Sequence, residues 1–268
     1  MANNDLGTRM KEYEYVTRTF LTRRTPVIIR IDGKAFHTFT RGFVKPFDRI
    51  MVRTMQDTMK YLCENVEGCV LGYTQSDEIT LVLCDYKKLT SQAWFGNNIQ
   101  KICSIAASMT TMAFNRYFDQ NVEEILSDES EHNNELIDSY RKALNRGAMF
   151  DARVFNIPKE EVNNCVLWRQ QDATRNSIES VAQAHFSHRE LHGKSCNQLQ
   201  ELLWQEKRIN WNDFPTHLKR GSCCIKENFN VGSTMRSRWV IDYNIPIFSK
   251  DPDYINKRIL FCEEDTNP

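Results

Sequence analysis

The chain has 268 residues, of which 41% are hydrophobic and 26% are charged. These proportions are typical of globular proteins and exclude a wholly disordered or fibrous chain. The length corresponds to one large domain or two modest ones. No apolar run approaches the roughly 18–20 residues that span a bilayer, and residues 1–15 lack the apolar stretch of a secretory signal. We therefore expect a cytoplasmic protein that does not bind membranes.

Basic and acidic side chains balance overall but not locally. The chain has 35 Lys and Arg against 35 Asp and Glu, whereas nucleic-acid-binding domains are often basic. Residues 1–60 carry 12 basic and 6 acidic side chains, and residues 119–135 carry 7 acidic and no basic ones. A run of like charge is usually a solvated face, but the basic region leaves room for a local phosphate-binding surface.

Hydrophobic periodicity predicts the order β-α-β-β-α-β in the first part of the chain. The predicted elements are a strand at 26–31, a helix at 48–65 with Asp48 as its N-cap, a strand at 68–72, a turn at 73–77, a strand at 78–84, a helix at 97–117 and a strand at 148–157. This order indicates an α+β, ferredoxin-like fold. We expect it to form one domain over residues 1–157.

A second pattern follows this domain. It predicts helices at 160–186 and 195–207, then strands at 221–227 and 235–243. We expect residues 158–268 to form a helical and strand region packed on the first.

The nine cysteines include no C-x-x-C pair, which argues against structural zinc and a disulfide framework. Cys63, Cys69, Cys84 and Cys103 lie among apolar neighbours and are predicted to be small buried hydrophobes. Redox chemistry at the neighbouring Cys223 and Cys224 is the less favoured alternative.

Three carboxylates are predicted to meet at one edge of the sheet. Asp32 ends the first strand, and Asp77 and Glu78 begin the third. Right-handed crossovers place these strands side by side and antiparallel, so the two ends share an edge. Buried carboxylates repel each other unless a cation lies between them. Oxygen ligands favour Mg²⁺, and two such ions suit phosphoryl transfer.

The residues around these carboxylates suit a triphosphate. Gly33 allows close approach of the backbone, Lys34 and His37 supply charge and donors, and the Ser76 hydroxyl can reach a phosphate. The alternative is structural, because D-G is a common turn and S-D-E a common helix opening. A carboxylate pair of this kind also serves ordinary polymerases and nucleotidyl cyclases, so it leaves the direction of the reaction open.

Other cations and histidines are weaker candidates. Arg30, Lys45 and Lys101 are possible phosphate ligands, with ordinary surface cations as the alternative. In segment 185–194, we expect His185, His188 and His192 to share one helix face. That face fits an RNA contact, a zinc site without a clear further ligand, or a plain helix end before Gly193.

These segments together resemble the tRNA-His guanylyltransferase family, whose members extend RNA in the 3′–5′ direction. The matching segments, in family order over roughly residues 10–230, are R-I-D-G-K-A-F-H at 30–37, K-P at 45–46, Y-T-Q-S-D-E at 73–78, F-D-A-R at 150–153 and W-R-Q-Q-D at 168–172.

The resemblance implies a polymerase-type palm with two Mg²⁺ ions. The ions would be held by Asp32, Asp77 and the Gly33 carbonyl, with Glu78 as a third catalytic residue. It further implies that the nucleotide contacts Asp32, Gly33, Lys34, Ala35, Phe36, His37, Lys45, Ser76, Asp77 and Lys101. RNA contacts are expected at Arg30, Arg169, Arg175, Asn176, His188, Arg189 and Lys194.

The family chemistry uses ATP to activate the 5′ end of a tRNA, to which GTP or another nucleotide is then added. Members are commonly tetrameric, so a homotetramer or dimer is expected. After W-R-Q-Q-D, eukaryotic guanylyltransferases carry H-I-N-N-L-Y-N, whereas this chain has T-R-N-S-I-E-S at 174–180. This difference favours the Thg1-like branch, which repairs tRNA 5′ ends by templated addition. A cyclase acting on free nucleotides and a non-catalytic tRNA-binding module are the rival hypotheses.

Overall fold

The computed structural model describes residues 5–126, 134–232 and 234–260. Its α-helices are α1 (Asp5–Val16), α2 (Phe36–Phe39), α3 (Arg49–Asn65), α4 (Ile99–Leu126), α5 (Asn134–Arg146), α6 (Val162–Gln183), α7 (His188–Leu191), α8 (Cys196–Lys207), α9 (Thr216–Arg220) and α10 (Asp253–Ile259). Short 3₁₀ turns cover Trp94–Asn97, Lys159–Glu161 and Trp211–Asp213. Part of the acidic run, residues 127–133, and Cys262 lie outside the described residues. Within the described ranges, no helix is both long and apolar enough to cross a bilayer.

Within the described ranges, six strands form one antiparallel sheet. They are β1 (Val27–Gly33), β2 (Cys69–Gln75), β3 (Glu78–Leu83), β4 (Phe150–Asn156), β5 (Ser222–Val231) and β6 (Thr234–Asp242). Their order across the sheet is β4-β1-β3-β2-β5-β6. The first four strands have the order of the ferredoxin-like fold, so the predicted α+β class is confirmed.

Alternating side chains bury both faces of the sheet. Ile29 and Ile31 of β1 join a core with Met55 and Met59 of α3, while Ile28 faces the opposite core, which α6 and α10 help to form. Helix α3 begins where predicted, because the Asp48 side chain accepts a hydrogen bond from Met51 N at 3.0 Å. Helices therefore pack against both faces of the sheet whose first strand ends near Asp32.

Residues beyond 157 extend the same sheet. Residues 222–224 of β5 pair with residues 72–74 of β2, and β5 then runs antiparallel to β6. Helix α6 covers the face that carries Ile28. The division of the chain at residue 157 stays a prediction.

The cysteines behave mainly as packing residues. The eight cysteines within the described ranges are free, and Cys63, Cys69 and Cys84 are buried, whereas Cys103 is half-buried. Cys223 and Cys224 face opposite sides of the sheet, in different cores. Neighbouring residues on a strand point apart, which disfavours a disulfide between them.

Three sequence predictions need correction. Strand β2 continues to Gln75, so only Ser76 and Asp77 form the turn predicted over 73–77, and α4 runs to Leu126 rather than ending at 117. His185, His188 and His192 do not share a helix, because α6 ends at Gln183 and α7 starts anew at His188. The cause is a capping box, in which Ser187 and Glu190 begin α7.

Candidate active site

The end of β1 and the β2–β3 turn bring the predicted carboxylates to one edge of the sheet. Asp32 lies directly opposite Glu78 in the β1–β3 pairing. Gly33 N donates a hydrogen bond to the Asp77 carbonyl oxygen at 3.0 Å, which ties the end of one strand to the turn before the other. The prediction that topology alone unites these residues is confirmed.

The Asp77 carboxylate lies in an environment that disfavours its charge. Burial raises the pKa of Asp77, and the negative charge of Asp32 raises it further. The Ser76 hydroxyl, which donates to Asp77 Oδ1 at 3.0 Å, acts in the opposite direction. A cation between Asp32 and Asp77 would remove this repulsion.

These donors fit a hard cation that also binds substrate. Across the described ranges, no cluster of three or more His, Cys, Asp or Glu side chains could hold a metal by itself. Asp32 and Asp77 supply two carboxylates on adjoining segments, and the neighbouring Gly33 has a backbone carbonyl. Mg²⁺ is commonly bound by one or two carboxylates, with water and substrate phosphates completing its shell.

The backbone at this edge adopts conformations that are rare for ordinary residues. Ala35 and Ser76 have φ angles of 54° and 50°, in the left-handed region. A Cβ on Gly33 would lie 2.2 Å from the Phe36 ring, so no larger residue fits without movement. Such conformations are common at functional sites.

A cavity of about 680 Å³ opens beside the carboxylates. Nine predicted site residues line it, namely Asp32, Gly33, Ala35, Phe36, His37, Lys45, Ser76, Asp77 and Asn176. Its volume and mixture of polar and apolar walls suit a small-molecule ligand.

Two predicted nucleotide contacts do not line this cavity. Lys34 donates its backbone N–H to the Met149 carbonyl at 2.8 Å, and its side chain is exposed. Asn98, three residues before Lys101, forms an isolated β-bridge with Phe20, in the segment that leads into the start of β1. Thr111 lies about 15 Å further along α4, and its hydroxyl accepts a hydrogen bond from Phe150 N. Phe150 of β4 pairs with Gly33, at the end of β1 that carries Asp32. Lys101 therefore lies toward the other end of the sheet from Asp32.

Several cavity residues were not found from the sequence. Gln56 of α3 donates to the Ser222 hydroxyl at 3.2 Å, and both side chains are buried in the cavity floor. Ser177 and Ser180 of α6 and His217 of α9 form the opposite wall. Gln56 interrupts the apolar face of α3, which was a usable signal, whereas the others carry no pattern of their own.

Glu78 is held by a buried arginine. Arg169 Nε and Nη2 donate to the two Glu78 carboxylate oxygens at 2.6 and 2.7 Å, and Nη2 also donates to Asp172 at 2.7 Å. Burial raises the pKa of Glu78, and the ion pair offsets part of this effect. The structure does not support the predicted RNA contact of Arg169, because its side chain is only 8% exposed. Glu78 acts here as the partner of Arg169.

Of the remaining predicted RNA contacts, Arg30 lies on β1, and the other five lie on or beside α6 and α7. Arg175 is exposed and pairs with Asp172, while Asn176 faces the cavity. His188, Arg189 and Lys194 are exposed on and after α7. His188 and Lys194 line a second, smaller hollow, which shares Gln183 with the first cavity.

The chain is similar to known proteins over most of its length. The model of the Thg1 family, described as tRNA-His guanylyltransferase, matches residues 7–158. The tRNA-His guanylyltransferase of Schizosaccharomyces pombe is 26% identical, over 81% of this chain and 79% of its own. The uncharacterized protein R259 of Acanthamoeba polyphaga mimivirus is 29% identical, over 97% of this chain and 89% of its own.

Solved structures agree with the sequence comparisons. A bacterial Thg1-like protein in complex with ATP is 43% identical, with a TM-score of 0.80, over 96% of this chain and 99% of its own. Because the relatives that carry a functional name are tRNA-His guanylyltransferases, the chain is an enzyme of the nucleotidyltransferase class. It belongs to the tRNA-His guanylyltransferase family.

Proposed function

We propose that the chain is an Mg²⁺-dependent 3′–5′ nucleotidyltransferase that activates the 5′ end of a tRNA with ATP and then adds nucleotides to it. The observation that carries this proposal is the placement of Asp32 and Asp77 together on the wall of a cavity that also holds Lys45 and His37. Carboxylates for metal ions and cations for phosphates are the components that phosphoryl transfer requires.

Asp32, Asp77 and the Gly33 carbonyl would hold the metal ions. Burial, together with the charge of Asp32, raises the pKa of Asp77, and a bound cation would offset both effects, which supports this assignment. When bound, Mg²⁺ would neutralise phosphate charge and polarise the reacting oxygens.

The protein's own residues would orient the triphosphate. Lys45 and His37 line the cavity and can bind phosphate oxygens, and the Ser76 hydroxyl lies beside Asp77. Asp48 fixes the segment that carries Lys45, since its carboxylate accepts from Val44 N and the Tyr140 hydroxyl at 3.0 and 2.8 Å. A rigid segment reduces the entropy lost on binding.

The proposed reaction has two displacements at phosphorus. In the first, an oxygen of the RNA 5′-monophosphate attacks the α-phosphorus of ATP, and pyrophosphate leaves. In the second, the 3′-hydroxyl of the incoming nucleotide attacks the 5′-phosphorus of the activated RNA, and AMP leaves. Positioning and charge neutralisation supply most of the catalysis in such steps.

Templated repair of tRNA 5′ ends is the favoured form of this activity. The T-R-N-S-I-E-S segment at 174–180 places Asn176, Ser177 and Ser180 on the cavity wall, where eukaryotic guanylyltransferases carry a different sequence. Bacterial Thg1-like proteins, solved with ATP and with GTP, are 43% and 41% identical to this chain. These similarities support ATP and GTP as substrates here.

A homo-oligomer and a cytoplasmic location belong to the same proposal. Helix α1 has no buried residues, and its apolar Leu6, Met10 and Tyr13 are exposed. A helix of this length is marginal without packing, which supports a covering second chain. Light scattering would measure the mass in solution.

A truncated tRNA tests the function. The substrate is a 5′-monophosphorylated tRNA lacking its first nucleotide, with ATP, all four nucleoside triphosphates and Mg²⁺. We expect the chain to add the complementary base, and Asp77→Ala to add none. Addition of G only to intact tRNA-His would instead indicate guanylyltransferase activity. Formation of a cyclic nucleotide without RNA would support a cyclase. Binding of RNA without turnover of nucleoside triphosphates would support a non-catalytic module.

A further inference from the structure

Two arginines lie near Asp32 on the sheet but outside the lining of the cavity. In the β1–β4 pairing, Asp32 lies opposite Asp151, and Arg30 lies opposite Arg153. Residues two apart on a strand share a face, so both arginines lie on the same face as Asp32. Trp168 of α6 borders this surface, with its ring centre 5.5 Å from the Arg30 guanidinium. Arg30, Arg153 and Trp168 are called the arginine face below.

Carboxylates lie near the arginine face but engage its arginines weakly. The charge of Arg30 lowers the pKa of Glu78, yet both Glu78 oxygens accept hydrogen bonds from Arg169. Like charges directly opposite on neighbouring strands are destabilising, yet Arg30 and Arg153 are paired in this way. Arg153 has a long contact of 3.5 Å with Asp151, and both side chains are more than half exposed. Among the described residues, Arg30 Nε is buried without a hydrogen-bond partner. An anionic ligand would satisfy both arginines.

The position of this face relative to the cavity indicates which ligand it takes. None of its three residues lines the cavity, whereas Asp32 does. In phosphoryl transfer the attacking and leaving oxygens lie roughly in line, so two phosphate-bearing reactants approach the reacting centre from different sides. If the triphosphate occupies the cavity beside Lys45, the arginine face is open to the other reactant.

We propose that the arginine face binds the 5′-terminal nucleotide of the RNA substrate. Arg30 and Arg153 contact its 5′-phosphate, and the half-exposed Trp168 ring stacks on its base. Guanidinium groups bind phosphate through paired donors, and aromatic rings stack on the exposed π-face of a base. This inference rests on the proposed function, because it assigns the RNA side of the same reaction.

The test compares a 5′-monophosphorylated tRNA with the same tRNA carrying a 5′-hydroxyl. Binding is measured by fluorescence anisotropy without ATP, so that no turnover occurs. We expect Arg153→Ala to weaken binding of the phosphorylated tRNA about tenfold, to abolish the preference for it, and to reduce the slope of log K against log salt by about 0.7–0.9. Arg141→Ala is the matched control, because Arg141 is an exposed arginine with a similar 3.6 Å contact to Asp138.

Trp168 provides a second measurement. We expect Trp168→Leu to weaken binding of both tRNAs about tenfold, and Trp168→Phe to retain most of the affinity. The KM for ATP stays unchanged in Arg153→Ala, because Arg153 does not line the cavity.

The outcomes separate this inference from the proposed function. If Arg153→Ala binds the phosphorylated tRNA as the unaltered chain does, or loses affinity equally for both tRNAs, the assignment to the 5′ end is wrong while the activity stands. If the unaltered chain binds the phosphorylated tRNA preferentially through Arg153 yet adds no nucleotide, the proposed function fails and the arginine face stands.

Discussion

Arg169 and Glu78 form a two-point ion pair, at 2.6 and 2.7 Å, between α6 and the first residue of β3. Both side chains are 8% exposed. The pair joins the helix that carries Asn176 and Ser177 to the strand that follows Asp77. It therefore holds the part of the cavity wall formed by α6 against the edge of the sheet that carries Asp77.

Removing one partner of this pair leaves a buried charge without compensation. We expect Arg169→Met to lower the free energy of unfolding by about 3–5 kcal/mol. The double variant Glu78→Met/Arg169→Met removes both charges, so its free energy of unfolding stays within about 1 kcal/mol of the original. Urea unfolding measures both values. A double variant as unstable as Arg169→Met would contradict the ion-pair interpretation, and Arg53→Met, which removes an exposed arginine, is the control.

Gly33 is required by close packing. Because a Cβ there would meet the Phe36 ring at 2.2 Å, Gly33→Ala should cost about 1–3 kcal/mol of stability and most of the nucleotide addition. Ala35→Gly, two residues away, relieves a left-handed φ of 54° and should be neutral or slightly stabilising. Thermal unfolding and single-turnover assays compare the two. Equal effects of both substitutions would show that the packing argument is wrong.

Asp77 should be required for activity and should at the same time lower the stability of the folded chain. Burial and the charge of Asp32 raise the pKa of Asp77, so its ionised form destabilises the folded state once the pH exceeds the ordinary aspartate range. We expect Asp77→Asn to abolish nucleotide addition and to raise the free energy of unfolding at pH 7. The gain should shrink as the pH falls toward 4, because Asp77 itself becomes neutral. A gain that does not depend on pH would contradict this account.

His217 should make stability fall in mild acid. Burial lowers the pKa of His217, so the unfolded chain binds its proton more readily than the folded chain. Stability contributed by neutral His217 is present above about pH 6.5 and is lost as the pH falls below it. His217→Gln should flatten the pH dependence of unfolding between pH 7 and 5. An unchanged profile would show that other groups dominate this range.

The sequence was sufficient to predict the architecture of the palm and the meeting of its carboxylates. Strand periodicity depends on neighbouring residues, and the handedness of crossovers follows a general rule. Together they place Asp32 beside Glu78 without information about side-chain packing. The Asp48 N-cap was likewise visible, because capping depends on neighbouring residues.

Contacts between the sheet and α6 were not predictable from the sequence. Arg169 lies 91 residues from Glu78, and nothing in W-R-Q-Q-D indicates that its arginine turns inward. Lys101 is a predicted phosphate ligand, but the helix α4 that carries it starts at the far end of the sheet from Asp32. The error at His185 was avoidable, because S-x-x-E at 187–190 signals a new helix.

The central claim is that Asp32 and Asp77 direct activation of an RNA 5′ end, and transfer of label from ATP tests it most directly. The chain is incubated with Mg²⁺, 5′-monophosphorylated tRNA and ATP labelled at either the α- or the γ-phosphate, without other nucleotides. We predict that the α-label enters the RNA in a phosphatase-resistant linkage, that the γ-label does not, and that Asp77→Asn transfers neither. Transfer of the γ-label, or α-label transfer that survives Asp77→Asn, would contradict the account.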